Sequence, residues 1–236
     1  MTDETPRPHA RALRLGGICL LLFATGCFKL ARPTPPLEEY VLGDAARTMA
    51  AAAKRDTGGL TIGLRRLDLA PYLASTAIVV RRGSRIVTSD FRRWAEEPGA
   101  GILRAVAVSL GAAPTILAVD LAPWPAQASH DYLVQLHIAH LEGVAPEDVT
   151  ATDGEVHVMA TWEIVRSQDG VIVARGTSDR AEKGWRVGDY AGLVARIDTA
   201  LTGLGGALAA CLVQVAAATP APEGAAVGRF VTCRAP

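Results

Sequence analysis

The chain has 236 residues, of which 50% are hydrophobic and only 5% aromatic, and its 24 basic and 24 acidic side chains cancel. Without a basic excess it lacks the charge that holds a nucleic-acid backbone. Its length suits one domain with a proper core built mainly of Ala, Val and Leu.

At the N-terminus, Arg7, Arg11 and Arg14 lead into the apolar run Leu15–Thr25 and then Cys27. A basic lead, a short apolar run and a small-residue ending describe a bacterial secretory signal. The run falls short of the roughly 20 residues that a permanent membrane helix needs. Ala24-Thr25-Gly26-Cys27 resembles a lipobox, although Ala24 stands where Leu is usual. That reading removes residues 1–26 and attaches a diacylglycerol to Cys27. The rival readings are an ordinary secretory signal that contains a Cys, or an anchoring segment that is never cut. Phe28 stands where inner-membrane lipoproteins commonly carry Asp, which favours the outer membrane. Residues 27–39 contain Pro33, Pro35 and Pro36 and no apolar periodicity, and so read as an extended tether. About ten residues at roughly 3.1 Å each reach ~30 Å from the lipid.

Residues 40–217 hold the predicted domain. Tyr40-Val41-Leu42 is a short strand, Ala45–Lys54 a helical turn or loop, and Leu60–Leu67 a strand. Ala77–Arg82 and Arg85–Ser89, joined by Gly83-Ser84, make a hairpin. Pro98 opens a helix whose Ile102, Leu103, Val106 and Leu110 recur at helical spacing up to Gly111. Asp131–Leu141, Glu155–Val165 and Val171–Thr177 alternate as strands of an antiparallel meander, with Tyr132, Val134, Leu136 and Ile138 on one face. The last helix, Gly188–Ala217, carries an apolar stripe from Tyr190 to Val215. Its Gly203, Gly205 and Gly206 each cost about 1 kcal/mol relative to Ala and are expected where the helix approaches the sheet. The predicted class is α+β, a mostly antiparallel sheet with two main helices packed on one face. Residues 218–236 read as an Ala/Pro-rich tail. Cys211 and Cys233 either pair in an oxidising compartment, or Cys211 packs as a small hydrophobe beside an exposed Cys233.

No catalytic constellation emerges. The chain has no phosphate-binding Gly-rich loop and no Gly-x-Ser-x-Gly elbow. Glu96-Glu97 and Glu147-Asp148 suit capping or loop solvation. His130, His137, His140 and His157 are the best metal candidates, with His137 and His157 on one polar face, yet zinc wants three or four ligands. They are read as histidines on a solvated strand face, and no metal and no cofactor beyond the lipid on Cys27 is expected. The distinctive stretch is Pro71–Pro98. Arg93 and Trp94 are residue types enriched at binding hot spots. From the residues alone the favoured reading is structural, with Trp94 capping the core and Arg92 and Arg93 paired with Glu96 and Glu97.

Here the sequence resembles the ABC-type transport auxiliary lipoproteins, the PqiC-like proteins. The resemblance rests on Cys27, Pro35-Pro36 before Tyr40-Val41-Leu42, Pro71-Tyr72-Leu73, Ile78-Val79-Val80-Arg81, Ile86-Val87 and Arg93-Trp94-Ala95-Glu96, in order over roughly residues 27–200. Arg85 departs from the short polar residue common at that place, and one Tyr stands where two are frequent. The resemblance implies a non-enzymatic lipoprotein on the periplasmic face of the outer membrane. Its partners would be an MCE-family protein of an ABC lipid transporter and further copies of itself. Tyr72, Arg81, Arg93 and Trp94 are the expected contact residues. The alternatives are a periplasmic lipid carrier with its own apolar cavity, and a lipoprotein regulator of a cell-wall enzyme.

Overall fold

The structure is a computed structural model in which residues 34–43, 58–218 and 231–234 are described. The described residues from Leu37 onward belong to one compact unit. The lipobox with Cys27 and the Ala45–Lys54 segment lie outside the described residues.

The organising element is the strand β7, Tyr132–Ala145, whose 14 residues are long enough for three shorter strands to share one of its edges. The strands β2 (Leu60–Leu64), β3 (Asp68–Leu69) and β4 (Ala77–Arg82) lie along that edge in succession, all parallel to it. On its other edge runs the predicted meander. β8 (Asp153–Arg166) and β9 (Ile172–Arg186) follow in antiparallel ladders, and the parallel strand β10 (Val231–Arg234) closes that side. Beyond β4 come β5 (Arg85–Trp94) and β1 (Glu38–Tyr40), and beside β2 lies β6 (Ile116–Leu121). The ten-stranded sheet is mixed, with its long ladders antiparallel and its parallel pairs short.

Local chemistry explains most of these elements. The β4–β5 connection turns at Gly83, whose φ of +58° costs a residue without Cβ little, and Gly170 does the same before β9 at +71°. The helix α1 (Pro98–Gly111) starts with Pro at its first position, where the missing N–H has no partner to lose. The helix α2 (Tyr190–Ala217) is capped by Asp189, whose carboxylate accepts from the Gly192 N–H at 2.9 Å. Its length and apolarity would suit a membrane span. Here the stripe Leu193, Ile197, Leu201, Leu204, Leu208 and Leu212 is buried in the core instead.

Both helices pack with the inner face of the sheet, formed by Val134, Leu136, Ile138, Val156, Val158, Ala160, Trp162 and Ile164. The expectation for the α2 glycines needs correcting. Gly205 meets α1, since a Cβ there would sit 2.6 Å from Ser109, and Gly206 faces open space. Only Gly203 faces the sheet, against Arg180 of β9. The small residue that lets the core close is Gly176 on β9, where a Cβ would lie 2.2 Å from the Trp162 ring.

Three strands, β3, β6 and β10, have no counterpart in the sequence reading. β6 carries little alternation, and its burial comes from β2 and α1. β10 converts the end of the expected tail into an edge strand. Cys233 is buried there and bonded to Cys211 of α2, with Cα atoms 5.7 Å apart.

Candidate functional site

The outer face of the sheet carries a compact polar cluster, and a single irregularity in β7 creates it. Through Ile138, the even-numbered residues of β7 point inward. Between Ile138 and His140 the β7–β8 register shifts, which leaves Ala139 unpaired and reverses the alternation. Leu141 then pairs with inward Val158, and Glu142 pairs with outward His157. His140 and Glu142 therefore emerge on the outer face.

Glu142 has no solvent-exposed side-chain surface. It is covered by three donors from three elements. The Arg81 Nε of β4 donates to Oε1 at 2.6 Å, and the His140 Nδ1 lies 3.0 Å from the same oxygen. The Tyr72 hydroxyl, held by the short 3₁₀ turn Pro71–Leu73, donates to Oε2. That hydroxyl also lies 3.0 Å from the carbonyl of the bulged Ala139. With one proton to give, it serves the ionised carboxylate, the stronger acceptor. Arg81 adds a contact from its Nη2 to the Tyr72 hydroxyl at 3.3 Å and lies 5.6 Å over the Tyr72 ring.

The electrostatics follow from this packing. Burial by itself pushes the Glu142 carboxyl up, but the hydrogen bonds from Arg81, Tyr72 and His140 together with the guanidinium charge hold it below the ordinary carboxylate range. Burial, then the bond to Glu142, pushes the Tyr72 phenol up to about 12. Neither group is suited to exchange protons near neutral pH. The arrangement fixes the 3₁₀ turn, β4 and β7 against one another.

The cluster continues across β8. The His140 and His157 rings stack with centroids 4.6 Å apart, and His157 Nε2 lies 2.7 Å from Asp179 Oδ1 on β9. His137, expected beside His157, instead sits across from Thr161 and meets Asp68 at 2.8 Å. His130 is buried near the start of β7 and meets Asp120 at 2.9 Å.

The expected contact residues thus separate. Tyr72 and Arg81 converge on Glu142. Trp94 is only 5% exposed and packs in the core, because it ends β5 on the inward side, so its ring offers a partner almost no surface. Arg93 is exposed and donates to the Asp90 carbonyl at 3.2 Å. Its neighbour Arg92 does more. It meets Glu38 at 3.3 Å and lies 5.5 Å over the Tyr190 ring, tying β1 to β5 and α2. The Gly43 N–H donates to the buried Asp198 of α2 at 2.6 Å, a second fastening of the segment that leaves the tether. Glu96 does not pair with Arg92 or Arg93 but with Arg104 one turn into α1. Sequence reasoning missed Glu142 altogether. Its one visible signal was a lone acid inside the apolar stretch HIAHLEGVA.

The model of the ABC-type transport auxiliary lipoprotein component family matches residues 40–209, the stretch that holds the cluster, α1, most of α2 and most of the sheet. The chain belongs to this family. The ABC-type transport auxiliary lipoproteins are not an enzyme family, and membership makes this chain an envelope lipoprotein associated with ABC-type transport. Among solved structures, a protein from Xanthomonas campestris assigned to the family DUF330 is similar at 16% identity and a TM-score of 0.56. That match covers 77% of this chain and 95% of the other. An uncharacterised protein is similar at 12% identity and a TM-score of 0.51, covering 64% and 90%. At such identities these likenesses show the fold alone. No curated protein matches the chain.

Proposed function

We propose that this auxiliary lipoprotein is a non-enzymatic docking subunit of an MCE-type lipid transport system. Its Cys27 lipid sits in the periplasmic face of the outer membrane, and it works as a homo-oligomer. The observation that carries the reading is the family match, which spans nearly the whole folded domain. The polar cluster supports it, since Arg81 and Tyr72 are bonded to the buried Glu142 and to each other, which suits a rigid surface better than turnover. Close packing of Gly176 on Trp162 weighs against a carrier with a lipid cavity between helices and sheet. On this reading Arg93 is an exposed contact, Tyr72 and Arg81 shape the surface, and Trp94 supports it from the core.

The test is affinity purification of the full lipoprotein from detergent-solubilised, mildly crosslinked envelopes, with a Cys27→Ala control. Recovery of an MCE protein, weakened in the control, is the expected result. Recovery of only the bait or of a cell-wall synthase overturns the proposal.

A further inference from the structure

His140, Glu142 and His157 each present a ligand atom, and these atoms all lie within 4.8 Å of one another on the outer face of the sheet. Two features set this trio apart from histidines that merely share a solvated strand. The bulge at Ala139 and the pairing of Glu142 with His157 bring all three to one side of two adjacent strands. One imidazole also already has a nitrogen against a carboxylate outside the trio. His157 Nε2 lies 2.7 Å from Asp179, while His140 Nδ1 and Glu142 Oε1 stand 3.0 Å apart, near the spacing of two donors that share one ion. Asp179 fixes the tautomer of His157 and leaves its other nitrogen for a ligand, as the outer partners of metal-bound histidines do.

We propose that His140, His157 and Glu142 form a binding site for a divalent transition metal of the zinc class, with Asp179 orienting His157. Two imidazoles and one carboxylate suit zinc, nickel or copper rather than calcium or magnesium. Three protein ligands leave a fourth position for water or a partner's side chain. Ligand distances of about 2.0–2.2 Å place the donors of a tetrahedral ion roughly 3.4 Å apart. The rings close the remaining gap by turning about χ2, a broad torsion in histidine.

Arg81 is the competitor. It already holds Oε1 of Glu142, while Tyr72 holds Oε2. An ionised carboxylate has about four lone-pair positions, so one oxygen can accept the guanidinium and still face an ion. The positive neighbour makes the site weaker than a closed structural zinc centre. The sequence reading rejected a metal because it paired His137 with His157 and found no third ligand. The bulge exchanges His137 for His140 and supplies Glu142.

The experiment titrates zinc chloride into the chelator-stripped full-length lipoprotein in detergent, followed by calorimetry. One ion per chain is expected. His140→Ala and His157→Ala each weaken binding at least tenfold, and Asp179→Asn weakens it ten- to a hundredfold. His137→Ala, on the same face but bound to Asp68, leaves it unchanged. Should a variant melt early, ring-nitrogen NMR of the wild type decides, because only the His140 and His157 resonances shift with one equivalent of zinc. No zinc binding in the wild type overturns the proposal. So does binding unchanged in the His140→Ala and His157→Ala variants, or equally weakened in His137→Ala.

Discussion

The two faces of the sheet are built on different physics. The inner face meets α1 and α2 with Val, Leu, Ile and Trp162, and what holds it is volume filled without charge. The outer face holds a fully buried carboxylate, and there an arginine, a phenol and an imidazole do the holding. The first is non-directional and forgiving of exchange among apolar residues of similar size. The second depends on each donor being present, because an unpaired buried charge is costly. The contrast teaches that in this fold the inner face supplies stability, while the outer face fixes the relative position of β4, β7 and the 3₁₀ turn.

The largest expected effect belongs to the inner face. Leu204→Ala in α2 should cost about 4 kcal/mol through lost transfer energy and the cavity left behind. Chemical denaturation measures it; a cost below 1 kcal/mol would mean the helix collapses onto the sheet and the core is looser than its packing implies. At the rim of that face, Cys233→Ser removes a bond that closes a sequence separation of 22 residues, worth about 3 kcal/mol by chain entropy. A melt with and without reductant should show the same loss in the wild type and none in the variant.

On the outer face, Arg81→Ala should cost about 2 kcal/mol. That lies below the range for fully buried pairs, because Arg81 keeps 28% of its side-chain exposure. The same pair has a pH signature, best measured with a chelator present. The folded-state value of the Glu142 carboxyl lies below its ordinary one, so its contribution is complete above the ordinary carboxylate range. It fades as the pH falls through the lower folded value. The stability gap between wild type and Arg81→Ala should therefore narrow in acid; a gap that widens would mean the carboxylate is not held by charge. The smallest effect is expected at Arg175, whose bond to Glu163 at 2.9 Å is largely exposed on the same outer face. Arg175→Ala should change stability by no more than about 0.5 kcal/mol. If it matched Arg81→Ala, burial would not be what distinguishes the two ion pairs.

The legibility of the chain follows the same division. The hairpin around Gly83 and the helix from Pro98 to Gly111 were readable to within a few residues, because a turn glycine, a first-turn proline and apolar spacing are local signals. The meander was readable for its inner face, since Val134, Leu136 and Ile138 alternate as a half-buried strand must. Past Ile138 that alternation would have put His140 and Glu142 in the core. Nothing in the residue pattern announces an unpaired Ala139, because a bulge is a property of two strands and appears only when β8 is laid beside β7. Trp94 failed as a surface contact for a related reason. Its composition fits a hot spot as well as a core, and only the inward register of β5 decides between them.

By itself, then, the sequence determined the α+β class, the two helices, the hairpin and the order of the long strands, all of which rest on periodicity and turn chemistry within a few residues. The tertiary structure alone decided that Tyr72, Arg81, His140, Glu142 and His157 share one place. It also decided that Cys211 reaches Cys233 and that Gly176 is the gap Trp162 fills. Those contacts join residues as much as 70 positions apart in the chain. They exist only once the ladders set which strands are neighbours and which face each side chain takes.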